Sequence, residues 1–236
     1  MSHTREEVLE LLAQKRISTD EADRLLTAMD RKPGLWAWIV NPLGQIPSGV
    51  ALALTAVPVA GQMVLERFGV HFDGAIDIHT NGASASWASA AVYAAVGFPL
   101  LALVLWATTL LGKRAARLVD VAAAVGLSRW PLTLASLFVL PLARTVGERA
   151  SMRVEITGPG FGAGAHPDPA AILHQLTAGD YALILASVPL VIWSIVWIVT
   201  GFRTATGERG ARLGWSVAGG IVVAEVLSKL LLRAAG

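Results

Sequence analysis

The segment YALILASVPLVIWSIVWIVTGF, residues 181–202, decides the fold class of this chain. It contains 22 residues and no charged side chain. Because a helix needs about 20 apolar residues to cross the hydrocarbon core of a bilayer, the segment predicts a membrane-spanning helix.

The composition of the whole chain agrees with this prediction. Of its 236 residues, 54% are hydrophobic and 15% are charged, whereas about a quarter of the residues in a typical soluble domain are charged. Mean hydropathy is +0.59. These values exclude a typical soluble enzyme, a disordered chain and a nucleic-acid binder. The chain has no cysteine, which also excludes disulfides, thiolate nucleophiles and cysteine zinc sites.

Four further apolar segments predict an all-α membrane protein with about five transmembrane helices. The third span is the least regular, because residues 130–143 provide only 14 uncharged positions, about 21 Å of helix. We expect this span to continue past Arg144, and we expect residues 118–129 before it to form a short interfacial helix. The predicted spans are about residues 48–65, 87–111, 130–147, 181–202 and 213–232.

The first 32 residues are polar, with six basic and seven acidic side chains, whereas residues 33–65 carry no charge. Thr4 with Glu7 and Ser18 with Glu21 each fit the capping-box pattern. They predict a helical hairpin at residues 1–32, ahead of a polytopic membrane domain at residues 33–236. A hairpin this short buries little on its own, so it either docks on a second copy, a partner protein or the membrane surface, or remains a solvated tail. The predicted docking residues are Leu11, Leu12, Leu25 and Leu26.

Lysine and arginine are distributed unevenly between the two sides of the predicted bundle. Thirteen lie on the side of the hairpin, including Arg129 in the loop before the third span, and six lie on the other side. The positive-inside rule therefore predicts a multi-pass protein of the cell (inner or plasma) membrane with a cytoplasmic N-terminus and an outside C-terminus. We expect the lipid bilayer to surround the helical bundle, and we expect no nucleic-acid partner.

Four histidines lie in the two predicted outer loops. Imidazole and carboxylate groups together are typical zinc or manganese ligands, and two loops on one membrane face could converge on one ion. The candidate ligands are His71, Asp73, Asp77, His79, His166, Asp168 and His174. The alternative is a small β cap without metal or cofactor, whose polar residues face solvent. Apolar residues alternate at Val70, Phe72, Ile76 and Ile78 around Asp73-Gly74, and again at Met152, Val154 and Ile156.

The last span contains two charged residues, Glu225 and Lys229, which share one helix face because they are four residues apart. Charges inside a membrane are costly and indicate a functional site by default. The pair could instead pin the last helix to its neighbours, or lie at the lipid interface. In the same span, Gly214 and Ala218 would permit close helix contact.

Three stretches of the membrane domain carry a family resemblance. The first is Asn41-Pro42, and the second is Gly112 followed by the segment VGLSRWP at 125–131. The third extends from Ile192-Trp193-Ser194 to Gly201-Phe202-Arg203, and a short basic turn and a last apolar helix follow it. Over about residues 36–234 the chain resembles the Yip family, five-helix membrane proteins first known as Rab-GTPase-interacting factors, with many bacterial members. The resemblance implies a five-helix integral membrane protein.

The hairpin carries a second resemblance, in the pattern Ile17-Ser18-x-x-Glu21-Ala22-x-x-Leu25-Leu26. It is similar to a short two-helix module found beside bacterial membrane segments, which implies oligomerisation or partner docking.

Together these features predict a non-enzymatic, Yip-like membrane scaffold or accessory subunit. The bundle would anchor the chain, and the hairpin would recruit a second copy or a membrane-protein partner. Two alternatives remain: a transporter of small solutes or ions that uses Glu225, and a membrane enzyme with a metal bound by the outer histidines.

Overall fold

The computed structural model describes residues 5–30, 34–72, 74, 76–80, 84–111, 115–157 and 176–235. Within these ranges, the side chains of residues 5, 28–30, 144–157 and 233–235 are left undescribed. The chain forms two compact units, Met1–Ile39 and Val40–Gly236.

The first unit contains helices α1 (Arg5–Ala13) and α2 (Thr19–Asp30), followed by the short α3 (Leu35–Val40) at its boundary. The predicted capping box at the start of α2 is confirmed. The Glu21 carboxylate accepts hydrogen bonds from the Ser18 amide at 2.9 Å and the Ser18 hydroxyl at 3.0 Å, and the Glu21 amide donates to Ser18 Oγ at 3.2 Å. Thr4, the predicted cap of α1, lies outside the described residues.

The hairpin packs around two small side chains, Val8 at 0% exposure and Ala22 at 2%. The leucines of the hairpin lie around these two buried side chains and are less buried. Leu9 and Leu25 are exposed, and Leu11, Leu12 and Leu26 are half-buried. The turn between the helices is closed at Lys15, which adopts a left-handed backbone with φ of 54°.

The described residues of the second unit form a bundle with five helical segments long and apolar enough to cross a membrane. The multi-pass membrane fold predicted from the sequence is therefore confirmed. A short 3₁₀ helix, η1 (Pro42–Gly44), precedes the bundle. Its helices are α4 (Ser48–Glu66), α5 (Trp87–Leu110), α6 (Leu118–Leu127), α7 (Arg129–Thr157), α8 (Ala178–Thr206) and α9 (Gly210–Ala235).

The third span is the centre of this bundle. It is built from α6 and the first half of α7, over Leu118–Ala143, and 61% of its apolar stretch is buried, against 17–28% for the other four spans. The short helix expected at 118–129 is present as α6, and it packs inside the bundle, because Val121 and Val125 are fully buried. Small residues explain the burial. A Cβ at Gly201 of α8 would lie 2.7 Å from Ala124 Cβ, so α6 and α8 approach closely where both carry minimal side chains.

Helix α7 continues to Thr157, well beyond the predicted limit of 147. The strand expected from the alternation of Met152, Val154 and Ile156 is therefore wrong. The physical reason is that the sequence holds no proline between Pro141 and Pro159, so nothing in it forces the helix to end earlier.

The loop between α4 and α5 forms a small antiparallel ribbon, β1 (Val70–His71) and β2 (His79–Thr80), in which His71 lies opposite His79. A β cap of two strands is thus present, although the loop that joins them is longer than a tight Asp73-Gly74 turn. Val70 and Phe72 are buried in a cluster with Leu65 of α4 and Ala143 of α7. The ribbon is therefore seated on the bundle at this end, which we call the ribbon end.

A candidate functional site inside the helical bundle

Lys229 joins the last helix to the ribbon loop. Its ammonium lies 3.0 Å from Glu225 Oε1 and 3.1 Å from Asp77 Oδ2. The sequence correctly places Glu225 and Lys229 on one helix face, but it offered Asp77 only as a candidate metal ligand or as a polar residue of a β cap. Asp77 and Lys229 are 152 positions apart, so no local pattern indicates this contact.

The ribbon loop enters the bundle at Gly74. A Cβ at this position would overlap the carboxylate of Glu225, so only glycine allows the loop backbone to lie against that side chain. On the other side, a Cβ at Gly97 of α5 would lie 3.1 Å from the Gly74 carbonyl oxygen. Ile76 packs against the main hydrophobic core between α5 and α9. The loop is thus held between two helices and does not rest on the bundle surface.

This arrangement corrects the expectation that the polar residues of the cap face solvent. His71 is only 7% exposed. Its ring stacks on His79 with centroids 5.5 Å apart and meets Tyr93 edge-on at 6.4 Å. The two histidines therefore make packing contacts within the ribbon.

Three of the seven candidate metal ligands, His71, Asp77 and His79, lie within the described residues. Among the described residues no group of three histidine, aspartate or glutamate side chains could hold a metal ion. The remaining candidate ligands Asp73, His166, Asp168 and His174 lie outside the described residues.

Arg129 lies in the centre of the bundle, at the junction of α6 and α7. It is 2% exposed, and its Nη2 atom has no hydrogen-bond partner among the residues that the structure describes. Among the described residues, Glu225 acts on it electrostatically. Counting Arg129 with the loop cations was therefore wrong, and the count for the hairpin side falls from 13 to 12. Sequence reasoning missed this residue, although it interrupts an apolar stretch between Val121 and Ala143.

A second buried donor lies on α4. Gln62 is 5% exposed, and its Nε2 atom likewise has no hydrogen-bond partner within the described part of the chain. In contrast, the buried hydroxyls nearby are satisfied. Thr55 Oγ1 donates to the Ala51 carbonyl oxygen at 3.1 Å, and Ser194 Oγ donates to the Ser128 carbonyl oxygen at 2.8 Å. The interior of the bundle thus contains several polar side chains, and most of them are hydrogen-bonded.

A half-open cavity of about 410 Å³ lies beside the ribbon loop, between α7 and α8. Its walls are mainly aliphatic, and its polar groups come chiefly from the ribbon side, including Asp77 and His79. Ser187 is the polar residue of α8 in the lining, and its hydroxyl donates to the Ile184 carbonyl oxygen at 2.7 Å.

The sequence motifs that carry the family resemblance lie against one another. Asn41 Nδ2 donates to Thr204 Oγ1 at 2.8 Å, next to the Gly201-Phe202-Arg203 stretch. Ser128 of the VGLSRWP segment accepts from Ser194. A Cβ at Gly201 would meet both Ala124 and Leu43. These motifs therefore serve the packing of α6 and η1 on α8.

Comparison of the chain with protein-family models, curated proteins and solved structures gave no match. The resemblance to the Yip family accordingly stays a prediction from the motifs, and any role for the chain is argued from its own residues.

Proposed function

We propose that this chain is a non-enzymatic, Yip-like membrane scaffold or accessory subunit, anchored by its helical bundle in the cell membrane with the N-terminus in the cytoplasm. In this proposal the hairpin of the first unit docks on a second copy of the chain or on a membrane-protein partner. The bundle holds the hairpin at the membrane, where such a partner is concentrated.

The observation that carries the proposal is the exposure of the hairpin leucines. Leu9 is 48% exposed and Leu25 is 38% exposed, while the hairpin buries only small side chains at its centre. Covering these leucines in an interface would add apolar burial worth about 25 cal/mol per Å². A hairpin of this size has few other means of stabilisation, since small domains usually need oligomerisation or cross-links.

Engineered disulfides test the docking surface directly. Because the natural chain has no cysteine, no natural thiol can contribute to the cross-linked product. In native membranes, Leu25→Cys should form a disulfide-linked dimer if a second copy covers this leucine. Thr27→Cys is the matched control, since Thr27 is an exposed residue of the same helix but points away from Leu25.

A membrane-protein partner would give a different result. Leu25→Lys, but not Thr27→Lys, should then reduce the recovery of that partner with the tagged chain, as should deletion of residues 1–32. Equal disulfide formation at both positions, together with equal partner recovery in all variants, would contradict the proposal.

A second candidate function is transport of a small solute or ion, and the position of Glu225 favours it. This carboxylate is held inside the bundle between Lys229 and the loop backbone at Gly74. In proteoliposomes, Glu225→Gln should abolish a solute or proton flux that the natural chain supports. Glu208→Gln is the control, because Glu208 pairs with Arg212 at the other end of α9 with Nε and Oε1 3.1 Å apart. If Glu225→Gln folded normally and supported the same flux as the natural chain, transport through Glu225 would be contradicted.

A further inference from the structure

The cavity beside the ribbon loop is polar mainly on one side. Its volume is about 410 Å³, within the range of roughly 300–1,000 Å³ that is typical of small-molecule sites. The ribbon loop contributes the polar side chains of Asp77, His79 and Thr80. The described walls from α7 and α8 are aliphatic apart from Ser187, and they consist of Val139, Leu142, Ile184 and Val191. This lining matches a ligand with a polar head and an apolar chain.

The cavity lies at the depth of lipid acyl chains. Trp87 and Tyr181, at the starts of α5 and α8, are 58% and 45% exposed, and aromatic residues at the ends of spans are typical of the membrane interface. Along α8, Ile184 lies about 4.5 Å and Val191 about 15 Å beyond Tyr181 at the helical rise. One leaflet provides about half of a hydrocarbon core that is about 30 Å thick. The α8 wall of the cavity therefore spans the acyl chains of the leaflet at the ribbon end.

The surface of α8 beside this wall faces lipid. Leu185 and Val188 directly follow Ile184 and Ser187 in the helix, and they are 68% and 42% exposed. In a membrane these side chains contact acyl chains. The half-open cavity next to them is therefore accessible to a chain that enters sideways from the bilayer.

The polar groups of the lining are suited to accept hydrogen bonds. In the contacts of the described residues, Asp77 uses its Oδ2 atom, which binds the Lys229 ammonium at 3.1 Å, and an ionised carboxylate only accepts. The hydroxyls of Thr80 and Ser187 donate their protons to the carbonyl oxygens of Gly69 and Ile184, both at 2.7 Å. The ring of His79 stacks on His71. A ligand head that fits this lining donates hydrogen bonds.

We propose that this cavity binds an acyl chain of a membrane phospholipid whose head group donates hydrogen bonds, as the ammonium of phosphatidylethanolamine does. The chain lies between α7 and α8, and the ammonium reaches Asp77 at the ribbon end, where a hydrogen bond between two charged groups is stronger than a neutral one. The site is separate from the hairpin. It therefore adds lipid binding to the proposed scaffold and does not depend on that proposal.

The test compares two lipids that differ in the head group alone, using the full chain in an uncharged detergent. Lyso-phosphatidylethanolamine and lyso-phosphatidylcholine of the same acyl chain share the phosphate, but the choline nitrogen has no proton to donate. A ligand that binds only the folded state raises the midpoint of thermal unfolding with its concentration. The natural chain should need about fivefold more of the choline lipid for the same rise, since a net hydrogen bond is worth about that factor.

Filling the cavity should remove the response to both lipids. Ser187→Leu places an apolar side chain in the cavity, and the hydroxyl that it loses bonds to its own helix. Without lipid this variant should unfold at the temperature of the natural chain or higher, because filling a cavity commonly stabilises a protein. The control Ala186→Leu introduces the same side chain at the neighbouring exposed position, and it should keep the full response.

A second pair of variants decides the result if Ser187→Leu does not fold. Val191→Phe fills the cavity at a deeper position, and it should also lose the response. Its control is Ile192→Phe, at the next residue, which is 55% exposed. Equal responses in the natural chain, in the filling variant that folds and in its control would show that lipid acts on the bundle surface, and would overturn the site.

Two further variants test the head group. Asp77→Ala and Lys229→Met both break the same ion pair, but only the first removes the proposed acceptor. Asp77→Ala should therefore respond equally to the two lipids, whereas Lys229→Met should keep the preference for the ethanolamine lipid. Equal responses of the natural chain to both lipids, or a preference that persists in Asp77→Ala, would overturn the proposed recognition of the head group.

Discussion

Lys229 Nζ lies 3.1 Å from Asp77 Oδ2, and this ion pair joins helix α9 to a loop that is 152 positions away in the sequence. The same ammonium contacts Glu225, so two carboxylates share one cation and the group carries a net charge of −1 when all three are ionised. The ribbon loop is therefore attached to the last helix both by charge and by the close contact at Gly74.

We expect this ion pair to contribute modestly to stability and strongly to the order of the loop. The side chains are 42% and 34% exposed, and exposed pairs are worth about 0.2–1 kcal/mol. A double-mutant cycle of Asp77→Asn and Lys229→Met should therefore give a coupling energy of no more than about 1 kcal/mol. Asp77→Asn should also accelerate amide hydrogen exchange at residues 76–80.

The pair between Glu208 and Arg212 provides the control for this cycle, since it lies at the other end of α9. Glu208→Gln should leave exchange at residues 76–80 unchanged. Unchanged exchange in Asp77→Asn as well would show that packing alone holds the loop.

Two glycines of neighbouring helices should respond oppositely to alanine. At Gly201 the new Cβ would lie 2.7 Å from Ala124 Cβ and 3.2 Å from Ala124 Cα, so α6 and α8 must separate. Such overpacking costs about 1–3 kcal/mol. At Gly219 of α9 a Cβ meets nothing within 4 Å, and alanine should raise stability by up to about 1 kcal/mol through its higher helix propensity. Thermal unfolding of Gly201→Ala and Gly219→Ala in one detergent measures both effects, and equal shifts would contradict the close packing of α6 and α8.

The span positions could be predicted because the length of an apolar run is a local property of the sequence. The first predicted span, 48–65, corresponds to Ser48–Glu66, and the second, 87–111, to Trp87–Leu110. In contrast, Gly214 was expected to allow a close helix contact, yet a Cβ there meets nothing within 4 Å. The close contacts lie at other glycines, and which face of a helix meets a neighbour is decided only when the helices assemble.

The candidate site was predictable only at Glu225 and Lys229. These residues are one helical turn apart, so their pairing follows from the sequence. The contact with Asp77 and the burial of Arg129 both depend on the assembled bundle. Arg129 was misassigned because a charged residue two positions before a proline, here Pro131, is typical of a loop at the end of a span.

The capping box of α2 should make the stability of the hairpin depend on pH. Hydrogen bonds from the Ser18 amide and hydroxyl lower the pKa of Glu21 from its ordinary value of 4.5. Because the folded-state pKa is the lower one, this contribution is fully present above the unfolded-state value and is lost as the pH falls through the folded-state pKa. Hydrogen exchange of the amides at the start of α2, measured between pH 3 and pH 6 (roughly the acid range of a carboxyl group), should reveal this loss.

Two substitutions separate the charge of Glu21 from its geometry. Glu21→Gln retains an acceptor that suits a capping box, so α2 should stay protected but lose the pH dependence. Glu21→Ala should lose both. If Glu21→Gln kept the pH dependence of the natural chain, another acidic group would be responsible.

The turn between α1 and α2 should be stabilised by glycine at position 15. Lys15 has φ of 54°, and its amide donates to the Leu12 carbonyl oxygen at 2.9 Å while the Arg16 amide donates to the Leu11 carbonyl oxygen at 2.9 Å. These two bonds form a Schellman motif, in which the left-handed position favours glycine. Since a residue with a Cβ loses roughly 1 kcal/mol in this conformation, Lys15→Gly should lower the opening equilibrium constant of the hairpin about fivefold, as measured by native-state hydrogen exchange of the α1 amides in the full chain. Lys15→Ala removes the same charge but keeps the Cβ, so it should give no such gain. An equal gain in both variants would assign the effect to the lysine charge and contradict the backbone argument.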